Sequence, residues 1–225
     1  MREDTLKART QILIAAACIA AGGAVAQQGP PQFPDMTFFV TSKGGPDGAN
    51  FGGLDGADRH CQTLAQAAGA GGKTWRAYLS TQAVGGATAV NARDRIGKGP
   101  WKNTKGVEIA ASVDDLHKGN KLNIENSLAE NGRMVPGRFF IGTQHDVLTG
   151  TQADGSAYPA GEDKTCGNWS KNGEGSAVVG HSDRLGLNES AEAKSWNSAH
   201  GSRGCSLAQL VPTGGVGLLY CFAAN

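Results

Sequence analysis

Four cysteines constrain this chain more than any other residues. Cys61, Cys166, Cys205 and Cys221 all lie beyond an N-terminal segment that reads as an export leader. An even number in an exported chain points to a disulfide framework. Four cysteines permit three pairings, and spacing alone does not choose among them. Nesting is the economical arrangement, with Cys61 on Cys221 and Cys166 on Cys205. The outer bridge would join the two ends of one domain. It would contribute on the order of 4–5 kcal/mol if it acts by restricting the unfolded chain. A zinc site is the rival use of such cysteines. Neither C-x-x-C nor H-x-x-x-H occurs, so local spacing predicts no metal site.

The address is read from the first residues. Arg2, Lys7 and Arg9 precede an apolar run from Ile12 to Ala21, which is too short to span a bilayer. Ala24-Val25-Ala26 is an A-x-A cleavage signal, so residues 1–26 read as a signal peptide. The alternative is a lipoprotein acylated at Cys18, but Ala15 stands where that pattern wants a branched aliphatic residue. Export to the periplasm or cell surface is expected. The chain has 21 Lys+Arg and 20 Asp+Glu. The leader holds three of the basic residues (Arg2, Lys7, Arg9) and two of the acidic ones (Glu3, Asp4), so the remainder balances to zero. That balance favours neither nucleic acid nor an anionic membrane surface as partner. Any membrane contact is through export alone.

Residues 27–35, with Gly29-Pro30-Pro31 and Pro34, read as a flexible leader, and residues 36–225 as one domain. Met36–Thr41 is predicted to be a strand. Asp55–Ala68 carries Ala57, Cys61, Leu64, Ala65 and Ala68 at helical spacing, with Asp55 as N-cap and Gly69 as stop. Cys61 thus faces the core from mid-helix, an arrangement that suits a bridge to a strand below. Trp75–Ser80 alternates as a half-buried strand. Asn91–Ile96 and a Ser112-capped segment are predicted as short helices. Arg138–Thr143 and Ser176–Gly180 are predicted strands. The chain closes on Gly217–Phe222, a β-prone apolar run centred on Cys221. Thirty-four glycines, among few helix-length periodic runs, argue for a loop-rich fold that needs covalent staples.

Several of these segments together resemble a known family. They are Gly53–Cys61, Trp75-Arg76-Ala77-Tyr78-Leu79-Ser80, Cys166-Gly167-Asn168-Trp169-Ser170, Cys205, and Leu219-Tyr220-Cys221-Phe222. This set is similar to the endostatin-type collagen C-terminal domain and related bacterial lectin-like proteins, both variants of the C-type lectin-like fold. The resemblance implies an α+β domain with a twisted antiparallel sheet, two main helices and a long loop region. It also implies the nested pairing of the cysteines. Its functional implication is a non-enzymatic binding module, for a glycan or, alternatively, for a cell-surface or envelope protein.

Sugar-binding members of that fold hold calcium through E-P-N or Q-P-D in the long loop and W-N-D before the third cysteine. Here Trp196-Asn197-Ser198 precedes Cys205, with serine in place of aspartate, and Glu162-Asp163 stands without the proline triplet. The ligand motifs for calcium are therefore incomplete, and no cofactor is assigned. Glu162, Asp163, Asn168, Trp196 and Asn197 are the candidate ligand-binding residues. Trp75 and Trp169 fall at core positions of the family. Trp101 and Trp196 are the candidates for a stacking platform, although anchoring in the core or a loop is the reading favoured for both. The histidines are scattered. His181-Ser182-Asp183 and His200-Gly201-Ser202 place triad residue types close together, but no G-x-S-x-G elbow frames a nucleophile. No catalytic residue is assigned.

Overall fold

The computed structural model describes residue 29 and residues 31–225. The signal peptide and the Cys18 alternative lie outside these residues. The fold is mixed α+β. In chain order it runs β1 (Phe38–Val40), α1 (Gly53–Ala67), β2 (Trp75–Ala77), a 3₁₀ turn (Ala92–Asp94), β3 (Trp101–Lys102), β4 (Glu108–Ala110) and α2 (Val113–Lys118). The second half comprises β5 (Asp146–Leu148), the short turn α3 (Cys166–Trp169), β6 (Val178–His181), β7 (His200–Gly201), α4 (Leu207–Leu210) and β8 (Gly215–Ala223).

The closing strand organises the sheet. β8 pairs antiparallel with β1 and β2, and in parallel with β5. From β5 the ladder continues antiparallel through β6 to β7. The sheet is thus mixed rather than wholly antiparallel, because β5 joins β8 in the same direction. Strand side chains alternate between faces, and β8 uses both. Leu219, Cys221 and Ala223 enter one hydrophobic cluster with α1, while Leu218, Tyr220 and Phe222 enter a second with Trp101 and Trp196. Both faces of β8 are buried, whereas of the half-buried strand predicted at Trp75–Ser80 only Trp75–Ala77 forms, with the Arg76 side chain 42% exposed. Tyr78 is fully buried.

Both predicted bridges are present. Cys61 joins Cys221 across 160 residues, with Cα atoms 5.6 Å apart. Cys166 joins Cys205, with Cα atoms 5.7 Å apart. Two disulfides in one domain of this size belong to an oxidising compartment. Among the described residues, no helix is long and apolar enough to cross a membrane. Helix α1 begins at Gly53, earlier than predicted. Its N-cap is Gly52 in the left-handed region, φ 74°, rather than Asp55. Asp55 lies in the first turn, where its charge complements the helix dipole. Buried Asp58 accepts from the Ala77 amide at 2.9 Å and pairs with Arg76 and Arg95, which locks α1 onto β2. Ser112 caps α2 as expected, accepting from the Asp115 amide.

The strand predicted at Arg138–Thr143 is not formed. The segment is a turn, with Phe139 81% and Ile141 106% exposed. A run of apolar residues shows β propensity but not burial, and here no neighbouring strand receives it.

Candidate metal centre

The ends of three adjacent strands bring four polar side chains together. Asp146 opens β5 and stands directly opposite His181, the last residue of β6. Directly opposed residues of an antiparallel pair project to one face. His200 opens β7 opposite Val179, so it approaches His181 diagonally. His145 precedes Asp146 and would point to the other face in a regular strand. His145 lies just before β5, where the pleat of the strand no longer fixes its direction. The His145 ring stacks on that of His181, with centroids 4.4 Å apart and planes 7° from parallel.

Two glycines make room for this arrangement. Gly214 sits at φ 104°, and a Cβ there would lie 3.0 Å from His145 Cδ2. Gly180 lets the segment before β7 lie across β6, since a Cβ there would meet Trp196 O at 1.8 Å. That close approach allows the His181 amide to donate to Ser195 O at 2.9 Å.

Each imidazole is oriented through Nδ1. His145 Nδ1 donates to Asp183 Oδ1 at 3.0 Å. His181 Nδ1 donates to Ala193 O at 2.7 Å, and His200 Nδ1 to Gly201 O at 3.1 Å. Carbonyl and carboxylate oxygens only accept, so these contacts place a proton on Nδ1, and in the neutral imidazole Nε2 is then the electron-pair donor. The three Nε2 atoms converge on Asp146. His145 Nε2 and His181 Nε2 lie 3.3 and 3.4 Å from Oδ1, and His200 Nε2 lies 3.6 Å from Oδ2. None of these contacts has hydrogen-bond geometry. Both Asp146 carboxylate oxygens and His181 Nε2 are buried without a hydrogen-bond partner among the described residues. Buried polar atoms of this kind require a reason.

The separations themselves suggest one. Tetrahedral bonds of about 2.0–2.2 Å place neighbouring donor atoms roughly 3.3–3.6 Å apart. The donor atoms of His145, Asp146 and His181 all lie within 4.8 Å of one another. Burial opposes the Asp146 charge, but the imidazoles of His181, His200 and His145 outweigh it and hold its carboxyl down to about 2. The Asp146 carboxylate in turn raises the pKa of His200 against the effect of burial. Asp183 is also buried, yet the contact with His145 and the amides of Arg138 and Leu185 keep its carboxyl below the usual range. With protons on Nε2 the histidines pair with the Asp146 carboxylate, and with Nε2 deprotonated the same atoms form a donor set suited to a small cation.

The cluster opens into a cavity of about 620 Å³. His145 and His181, each 3% exposed, lie at its buried end, while His200 is exposed. Leu187, Ala193, Ala199 and Pro212 supply apolar lining, and Arg138, Arg203 and Glu192 supply charge.

The residues nominated from sequence lie elsewhere and are engaged in structure. Glu162 is exposed and pairs with Lys164. Asp163 accepts from the Thr165 and Gly167 amides. Asn168 exchanges hydrogen bonds with the Gln82 backbone. Trp196 is 3% exposed and packs against Tyr78 and Tyr220, so it presents no free face. Asn197 donates to Tyr78 Oη at 3.0 Å and to Ala153 O at 3.1 Å. Trp101 is buried, with its indole N–H on Ala223 O. Of the five, Asp163 and Asn168 line a groove, Trp196 and Asn197 are buried, and Glu162 stands apart on the surface. His60 and His117 bond to backbone carbonyls away from the cluster.

No local spacing marks the His–Asp cluster, because its members come from segments far apart in sequence. The available signal is that His145-Asp146 and His181-Ser182-Asp183 flank β-prone runs. Asp183 does serve a histidine, but it is His145 rather than its sequence neighbour His181. The chain matches no protein-family model and no curated protein.

Proposed function

We propose that this chain is an exported, non-enzymatic binding module of the C-type lectin-like class that holds one divalent transition metal. The metal is bound by His145, Asp146, His181 and His200 and offered to a ligand in the adjoining cavity. One observation carries this reading: three imidazole Nε2 atoms converge on a buried carboxylate whose oxygens have no hydrogen-bond partner. Imidazole-rich sites suit zinc and its neighbours, whereas calcium prefers oxygen throughout. Orientation of each ring through Nδ1 by a carboxylate or carbonyl is the habit of metal-ligating histidines. The lectin-like class is supported by the nested bridges, by α1 tied to the closing strand, and by the pairing of β1 with β8. A glycan is the ligand the resemblance suggests. The groups nominated for it hold loops together, so the cavity beside the histidines is the better place for a ligand.

The test is calorimetric titration of chelator-stripped, disulfide-intact protein with zinc. The wild type should take up one equivalent. Asp146→Asn and His181→Gln should each weaken binding by at least 10–100-fold with an unchanged circular dichroism spectrum. If zinc, nickel and copper all fail to bind stoichiometrically, or if both variants bind like the wild type, the reading is wrong.

A second reading, an envelope protein-interaction module, draws on the exposed turn of Phe139, Phe140 and Ile141. Contiguous exposed apolar residues mark contact surfaces. Retention of a defined envelope protein by the wild type, lost in Phe139→Ser/Ile141→Ser, would favour it. Equal retention by both proteins would exclude it.

A further inference from the structure

The cavity carries a charge pattern that the metal reading leaves unexplained. Arg138 and Arg203 both line it, together with His145, His181 and His200. Neither guanidinium meets a carboxylate among the described residues. Both side chains spring from anchored backbone. The Arg138 amide donates to Asp183 Oδ2 at 2.7 Å, the same carboxylate that orients His145. Arg203 follows the buried Ser202, whose Oγ accepts from the Ala177 amide and donates to Gly204 O. The two arginines are thus tied to segments that build the cluster itself.

Charge accounting then points to the ligand. A divalent metal would be neutralised by Asp146 and Asp183. Glu192, the one carboxylate lining the cavity among the described residues, offsets one arginine in charge. One positive charge is left at the mouth of the cavity, where Arg138 is half-buried and Arg203 exposed, and an anionic ligand would meet it there. Guanidinium groups recognise carboxylate and phosphate oxygens through paired N–H donors. At about 620 Å³ the cavity suits a small molecule.

We infer that the ligand of this cavity is a small oxyanion, a carboxylate or phosphate, with one oxygen on the metal and others on Arg138 and Arg203. This inference rests on the metal reading above. Leu187, Ala193, Ala199 and Pro212 would contact the carbon frame of a carboxylate ligand.

The test uses the full exported chain loaded with one equivalent of zinc and dialysed, with zinc content measured before any anion is added. It is then titrated calorimetrically with inorganic phosphate, with malonate and with glucose. Phosphate, malonate or both should bind, and the stronger of the two identifies the oxyanion class. Arg138→Gln/Arg203→Gln should weaken that binding at least tenfold while zinc content stays the same. Glucose should give no heat of binding. Zinc-loaded protein that binds neither anion, or that binds them equally well in the double variant, overturns the inference and leaves the metal reading standing. Failure to load zinc overturns both, and is seen at the first step.

Discussion

His181 Nε2 lies 3.4 Å from Asp146 Oδ1, across a β5–β6 ladder in which the two residues are directly opposed. The pair is buried, and its facing atoms make no hydrogen bond. In an ordinary core such a pair would be replaced by apolar residues or would close into a hydrogen bond. Its persistence beside two further imidazoles is the basis of the functional reading.

The orientation of His145 depends on Asp183, which touches the ring and not the proposed metal. Asp183→Asn should therefore weaken zinc binding about 10–100-fold without abolishing it. Competition against a chromogenic chelator measures this directly. A variant that binds zinc as tightly as the wild type would show that the Asp183 contact has no bearing on the site.

The Cys61–Cys221 bridge closes the longer loop and ties α1 to β8. Replacing both cysteines with alanine should lower stability by about 2–5 kcal/mol, measured by urea unfolding. Free-thiol assay of the unfolded wild type should find none at Cys61, Cys166, Cys205 or Cys221. Substantial reactive thiol at any of the four would contradict the framework.

Trp196 packs on Tyr78 and Tyr220 at ring separations of 4.8 and 5.3 Å, and its carbonyl accepts from Tyr220 Oη. Trp196→Ala should cost about 3–5 kcal/mol and appear as a large fall in the thermal midpoint. An unchanged midpoint, with loss confined to ligand binding, would mean that the indole acts at the surface.

Asp163 provides a pH test away from the histidines. Burial opposes its charge, but the Gly167 and Thr165 amides and Lys171 prevail and hold its carboxyl below the ordinary 3.8. Its folded pKa is therefore lower than its unfolded one. The stabilisation is complete above the unfolded value and fades as pH falls through the folded value. Asp163→Asn should lower the urea midpoint at neutral pH, and the gap from wild type should close as the pH drops below about 4. A gap that stays constant through that range would refute this account of Asp163.

The parts of the fold visible in the sequence are those set by local pattern. The apolar stripe through Ala57, Cys61, Leu64 and Ala65 marks α1, and Ser112 marks the start of α2. The nested bridges follow from economy and from the resemblance together. The Phe139–Ile141 turn was hidden because an apolar run reports propensity, while burial depends on which strands arrive beside it. The roles of Trp196 and Asn197 were hidden for the same reason: a Trp-Asn pair reads as a ligand motif until Tyr78 and Tyr220 are found against it. The His–Asp cluster is least legible. Its members come from segments distant in sequence, and His145 joins it from the residue before β5. No helical or loop spacing encodes such a site.

The most direct measurement is anomalous scattering at the zinc absorption edge from crystals of the zinc-loaded protein. The account predicts one peak, at about 2.0–2.2 Å from Nε2 of His145 and His181 and from a carboxylate oxygen of Asp146, with His200 closing on it. A peak elsewhere on the chain, or a fully zinc-exposed crystal with no peak at these residues, would contradict it.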